Sequence, residues 1–428
     1  MAGKHAGGHA RGRDEHAPAH GHGHGHGHGP APDVAVGRGP RIALTALLVA
    51  VAAATLVGIV HWWPDSGRVD KLQGSMAFTA QGATYVPATA TKVEGRCAQV
   101  GASGSAGCGH VAAKVADGPD RGKAVTVEVP PEVSEAGLSP GDSLELLRIP
   151  GANGQPATYS YFSIERNTPL WLLGAVFAIA VLLVARLRGL MALIGLGVAA
   201  AVVGWFLLPA MLSGHPVVAV AVVAAVAIMY VVLYTTHGVS LRTSVALGGT
   251  LAGIALTALV AWYAVGDTHL TGVVDEGGGV LIAQVPGLSL QRVLVASVVI
   301  AGLGALNDVT ITQASAVWEL RAAAPDMGRA ELVRSAMRIG RDHVASTIYT
   351  LAFAYVGTSL ALLLAVQLYD RPLLDLLGTE EIAEEVVRSL TGGIGLVLAM
   401  PITTALAALM VSGPRTAYDG HGEDSWIV

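Results

Sequence analysis

Charge is what this sequence has least of. Only 13% of its 428 residues are Asp, Glu, Lys or Arg, against 52% hydrophobic residues and a mean hydropathy of +0.56. So few charges do not solvate the surface of a water-soluble domain, and the expected solvent is lipid. The net charge of −5 gives no footprint for nucleic acid. Cysteine is nearly absent. Cys97 and Cys108 exclude a disulfide framework, and with His110 they leave a structural zinc site one ligand short. Also missing are a Gly-x-Ser-x-Gly elbow, a His-Glu-x-x-His zinc motif and a phosphate-binding P-loop, so no catalytic class is expected.

What the sequence has in quantity is long apolar runs. A hydrocarbon core about 30 Å thick takes roughly 20 apolar residues per helix. Such runs fall near 42–60, 169–185, 190–212, 217–236, 243–265, 290–309, 344–368 and 389–411. The expectation is therefore a polytopic α-helical membrane protein of about eight transmembrane helices, the last seven forming a bundle over 167–411. Basic residues orient it, because short cytoplasmic loops are enriched in Lys and Arg. With the N-terminus inside, the inner segments hold Lys4, Arg11, Arg13, Arg38, Arg41, Arg186, Arg188, Arg242, Arg321, Arg329, Arg334, Arg338, Arg341 and Arg415, whereas the short outer loops and adjacent helix ends hold Arg292, Arg371 and Arg388. Both termini, including the 412–428 tail, are expected in the cytoplasm of a cell whose plasma membrane holds the bundle. The first span reads as an uncleaved anchor over 41–60, since it ends in Val60-His61-Trp62-Trp63-Pro64 without a small-residue cleavage pattern.

Between the first two spans, over 61–166, hydropathy drops and short strand-like runs appear, among them Ala88 to Val93, His110 to Val115, Ala124 to Val129 and Leu144 to Ile149. Turn signals such as Ser139-Pro-Gly-Asp142 separate them, which predicts a small extracytoplasmic β-rich domain of barrel or OB-like type. Cys97 and Cys108 flank a Gly/Ser-rich turn inside it. An oxidising exterior would join them as a hairpin disulfide.

Residues 1–40 have almost no large apolar side chain and are expected to be disordered. Eight of the 15 histidines lie there, with His20, His22, His24, His26 and His28 alternating with glycine. Flexible imidazoles gather divalent metals with little geometric selection, so the tail reads either as an incidental chelator or as a metal buffer or sensor.

The most informative stretch runs from Asn307 to Arg321. Asp308, Thr312, Ser315 and Glu319 recur at spacings of four, three and four and share one helical face. A carboxylate at membrane depth costs a few kcal/mol (about 2.5–3.5 by insertion scales), and such groups usually pair, face the bundle interior or serve an ion path. Asp308, Asn307, Thr312, Ser315 and Glu319 are thus the candidate ion- or proton-coupling set, with Asp308 placed near the inner end of its span. Gly302 and Gly304, Gly248, Gly249 and Gly253, and Gly392, Gly393 and Gly395 read as sites of close helix approach. Pro401 is expected to kink the last span. Residues 326–342 form a basic amphipathic helix for the inner leaflet, with Leu332, Val333, Ala336, Met337 and Gly340 on its apolar side. The acidic stretch Asp370, Asp375, Glu380, Glu381, Glu384 and Glu385 reads as a solvated face.

The run Ala301-Gly-Leu-Gly-Ala-Leu-Asn-Asp-Val-Thr-Ile-Thr-Gln, with Gly340-Arg-Asp-His-Val-Ala-Ser-Thr-Ile-Tyr after it, resembles the YibE/F family of bacterial multispanning membrane proteins over roughly 85–411. Where many such relatives have an apolar residue before the aspartate, this chain has Asn307. The resemblance implies a transport or permease-like role without a settled biochemistry. The composition is similar to that of an actinobacterial, high-GC source. A fainter, topological likeness extends to the membrane halves of resistance-nodulation-division and SecD/SecF-type proteins, and by that analogy Asp308 would carry the coupled proton. The expected partners are the bilayer and a small solute. The alternative is a non-transporting scaffold or sensor that binds an envelope component through the outer domain. A homo-oligomer is left open, and no nucleic acid is expected.

Overall fold

The computed structural model describes residues 36–75, 82–94, 109–130, 133, 137–151, 155–273, 276–368 and 372–413. The histidine repeat, both cysteines, Asp370, Arg371 and Arg415 lie outside these residues.

Helix α1 (Arg38–His61) and the short α2 (Ser66–Ser75) precede five strands, β1 (Thr84–Glu94), β2 (His110–Val115), β3 (Ala124–Glu128), β4 (Ser143–Ile149) and β5 (Thr158–Ile164). The strands form one antiparallel sheet in the order β3-β2-β1-β4-β5. Alternation explains its shape: Val86, Ala88, Ala90, Val111, Ala113, Val115, Val127, Leu144 and Leu146 all point to one side and are buried together, as period-two patterning requires. The edge strands β3 and β5 approach each other across the open side, making a half-barrel. Two runs expected as separate strands are one, β1, because Pro87 sits just before the ladder to β2 begins at Ala88, where its missing N–H leaves no gap.

The rest is helical: α3 (Asn167–Val202), a π turn at Val203–Leu207, α4 (Leu208–Leu212), α5 (Val217–His237), α6 (Leu241–Asp267), α7 (Glu276–Gln284), α8 (Leu290–Ala301), α9 (Leu303–Ala323), α10 (Arg329–Thr358), α11 (Leu360–Val366), α12 (Leu373–Leu376) and α13 (Glu380–Met410). Six stretches are long and apolar enough to cross a membrane, and α10 with α11, bent by 65°, makes a seventh if the pair is one span. One of the six, Asn167–Leu212, runs for 46 residues but is broken at Arg186 (φ 50°, ψ −128°). A Cβ on Gly189 would fall 2.6 Å from the carbonyl oxygen of Val181. Residues eight apart in a straight helix are about 12 Å apart, so the chain doubles back at Arg186.

Two helices run further than their hydropathy indicates. The sixth apolar run continues through a break at Gly302 to Ala323, giving 34 residues. Its polar residues Asp308, Thr312, Ser315 and Glu319 stay on one side while Leu306, Val309, Ala314 and Val317 are buried on the other. The basic helix expected at 326–342 is the first part of α10, which runs unbroken from Arg329 into the next span. Leu332, Ala336, Gly340, Val344 and Thr347 form its buried side, which is the apolar side read from the sequence, while Arg334, Arg338 and Arg341 face away from it.

The largest helix interface joins α6 and α13 antiparallel. Its register is written in small residues: Gly249 lies against Thr403, Gly253 against Ala399, and Gly395 against Thr257. A Cβ on Gly249 or Gly395 would collide with the facing threonine hydroxyl, so each glycine is required by close approach. Helix α13 continues through Pro401, and Thr403 and Thr404 donate to Ala399 and Met400 rather than to the carbonyl that Pro401 frees.

Contacts between helix ends sort them into two groups. At one end Val36 bridges Val411, Tyr234 Oη meets Ser244 Oγ at 3.0 Å, and Arg321 Nη1 donates to the carbonyls of Pro325 and Met327. At the other, Asp65 N–H donates to Ser213 Oγ, Gln291 Nε2 donates to Leu270 O, and Glu380 Oε1 accepts from Thr271 and Gly272.

Candidate functional site

Asp308 is not near the end of its span. Thr310 Oγ1 lies 2.7 Å from Thr250 Oγ1, and Gln313 Nε2 donates to Thr404 Oγ1 at 2.7 Å, which levels α9 against α6 and α13. Counted along α6 from Leu241, the Asp308 level is about 16 Å into a helix about 40 Å long at 1.5 Å per residue.

At that depth the Asp308 carboxylate has one ionisable neighbour in contact. Its Oδ2 lies 3.2 Å from Nε2 of His343 on α10. The distance is that of an ion pair when the imidazole is protonated, but the groups are not aligned for a hydrogen bond, and Nε2 is otherwise without a partner. The pair is open on one side, with Asp308 61% exposed and His343 30%. The α9–α10 hairpin makes the meeting. Its turn centres near Asp326, so residues equidistant from that point face each other across the two antiparallel helices. That arithmetic, applied to a candidate hairpin, would have paired Asp308 with His343, which periodicity within one helix does not reveal.

His237 ends α5 and Leu241 opens α6, with Arg242 in its first turn. Thr236 Oγ1, Arg242 Nε and Asn307 Oδ1 are buried without hydrogen-bond partners. Of the other sequence-derived candidates, Asn307, Thr312 and Ser315 are half-buried and Glu319 is exposed. The stripe is on one face, with only Asp308 in an ionic contact among the described residues.

The opposite face of α9 is closed. Gln313, 2% exposed, donates from Nε2 to Thr404 Oγ1 and to the Ala336 carbonyl, and its Oε1 packs where a Cβ on Gly340 would stand. One amide therefore holds α9, α10 and α13 together. Thr250, Thr310, Thr403 and Thr404 are buried alongside, each hydroxyl donating to a carbonyl one turn back.

A second ionic cluster lies toward the other end of α13. Arg388 Nη1 is 2.8 Å from Glu385 Oε1 and Nη2 is 3.6 Å from Glu384 Oε2. Glu384 is 5% exposed, which corrects the reading of this acidic stretch as uniformly solvated. Arg388 stands four residues after Glu384 and three after Glu385, so it reaches both carboxylates along one side of the helix.

In the half-barrel, Asp120 Oδ2 accepts from Arg148 Nε at 2.8 Å and from Tyr159 Oη at 2.5 Å. The Tyr159 hydrogen bond first and Arg148 second hold the Asp120 carboxyl below its usual range. Partial burial, then the bond to Asp120, raises the Tyr159 hydroxyl. The turn before β3 is thereby latched to β4 and β5. Among the described residues no group of three or more His, Cys, Asp or Glu side chains is placed to hold a metal ion. The histidine repeat and the Cys97–Cys108 disulfide expectation lie outside those residues.

The model of one protein family, described as YibE/F-like protein, matches residues 173–413. That is more than half of the chain and takes in every helix from α3 to α13. No curated protein and no solved structure matches the chain.

Proposed function

The chain belongs to the YibE/F family, and on that premise we propose that it is an ion-coupled transporter or permease-like membrane protein in which Asp308 and His343 carry the coupled proton. The observation that carries this reading is a carboxylate–imidazole pair shared between two helices of the bundle and open on one side. A buried structural ion pair would be closed and hydrogen-bonded on all sides, because an unsatisfied charge in a low-dielectric interior is costly. This pair instead keeps a free edge, with Asp308 the more exposed partner. A proton moving between Asp308 and His343 would change the charge of α9 relative to α10, and the bend at Ser359 beyond α10 gives that hairpin a place to flex.

Eight crossings fit the helices if the hairpin at Arg186 and the bent α10–α11 pair each count as drawn. An even number is supported independently by the bridge from Val36 to Val411, which puts the start of α1 and the end of α13 together. The same end gathers Arg38, Arg41, Arg186, Arg188, Arg242, Arg321 and the α10 arginines, so the basic bias assigns it to the cytoplasm. The half-barrel then lies outside the plasma membrane.

A second reading, a scaffold or sensor that binds an envelope component, draws on the half-barrel, which makes no substantial packing against the helices. Full-length protein in proteoliposomes with an imposed pH gradient separates the two. The transporter reading expects proton movement that Asp308→Asn and His343→Gln both abolish. Wild-type vesicles as proton-tight as empty ones would reject it.

A further inference from the structure

The outer surface of the half-barrel carries an aromatic pair that its core does not need. Tyr85 on β1 and Phe162 on β5 are 43% and 52% exposed, with ring centroids 4.5 Å apart. Strand alternation puts Val86, Leu144 and Leu146 into the core and turns Tyr85, with its cross-strand partner Leu147, to the other side. Pro87 is exposed on the same side, and Glu145, its cross-strand partner, borders the aromatic pair with a carboxylate held by Ser163.

Among the described residues no helix packs substantially against the sheet. What lies next to it follows from chain length. Strand β5 ends at Ile164 and α3 begins at Asn167, so two residues separate the sheet from a helix whose side chains Leu170, Trp171, Leu172 and Leu173 are all more than half exposed. At about 3.3 Å per extended residue and 1.5 Å per helical residue, Phe162 stands no more than about 21 Å from the level of Leu170. The aromatic pair is therefore tethered at the edge of the lipid, where amphipathic rings such as tyrosine's are favoured. Trp171 stands in the first turns of α3, and Arg166 lies in the two-residue connection, where a long cationic side chain reaches headgroups.

We propose that the half-barrel rests on the bilayer through the Tyr85–Phe162 face, with the headgroup layer of the leaflet as its partner. The sheet then stands beside the membrane as a fixed platform, not as a domain swinging on a linker. This inference does not depend on the transport reading.

A photo-crosslinking phenylalanine placed at position 162 of the full-length protein, in vesicles of defined phospholipid, tests it directly. The same group at Glu128, exposed on the other edge strand β3, serves as the comparison. Illumination should give a phospholipid adduct at 162 in several-fold higher yield than at 128. A doubled-mass protein adduct, an adduct confined to the chain's own helices, or equal lipid yield at both positions would each overturn the proposal. Thermal unfolding of the half-barrel in both labelled proteins checks that the substitutions leave it folded.

Discussion

The two faces of α9 share one stretch of sequence and do opposite things. On the closed face Thr310 and Gln313 spend their side-chain donors on neighbouring oxygens, and the glycines of α6, α10 and α13 make room for the packing. On the open face Asp308, Thr312, Ser315 and Glu319 keep their polar groups toward a gap, and one imidazole comes within 3.2 Å. Polarity inside the membrane is thus of two kinds here. Satisfied hydrogen bonds fix helix register on one face, while the ionisable pair on the other is incompletely satisfied.

Several substitutions sharpen that contrast. The closed seam should be the most sensitive to volume. Gly395→Val would drive a side chain into Thr257 and cost about 1–3 kcal/mol by overpacking, read from denaturant unfolding of the full-length protein in micelles. Gly392→Ala, where nothing stands within 4 Å, should leave stability unchanged or slightly raised. Equal losses at both positions would break the distinction between packed and open glycines. Gln313→Leu removes two donated bonds at similar volume and should cost about 1 kcal/mol, with the α9–α10 hairpin loosening in hydrogen exchange before α6 does.

The smallest effect is expected outside the helices, in the latch of the half-barrel. The folded state holds Asp120 below its ordinary pKa, so as pH falls the unfolded chain takes up the proton first. The latch contributes fully above the ordinary carboxylate range, near 4, and its contribution is lost as pH falls through the depressed folded value. Asp120→Asn should therefore destabilise the half-barrel at neutral pH and approach wild type in acid. Tyrosine circular dichroism during heating at the two pH values would show it, and a gap that widened in acid would refute the assignment.

Much of this was legible in the sequence. The spans at 217–236 and 243–265 match α5 and α6 closely because their apolar runs are long and uninterrupted. Pairing of Gly249 and Gly395 with facing threonines follows from the same small-residue spacing that marked those sites. The extent of α9 was not legible, since Asn307 and Asp308 interrupt the hydropathy although the helix continues on its buried face. Nor was His343, whose role depends on a hairpin that brings together residues 35 apart. Burial of Glu384 was hidden by its acidic neighbours. The strands of the half-barrel were read correctly except at Pro87, where a breaker was taken as a boundary although it falls outside the β2 ladder.

The most direct test of the account compares Asp308→Asn with Gln313→Leu in the same vesicles, reading both proton movement and unfolding stability. The account predicts that Asp308→Asn abolishes proton movement with little change in stability, and that Gln313→Leu lowers stability while proton movement persists in the folded fraction. Proton movement undiminished in Asp308→Asn, or a loss of fold large enough to explain its silence, would contradict it.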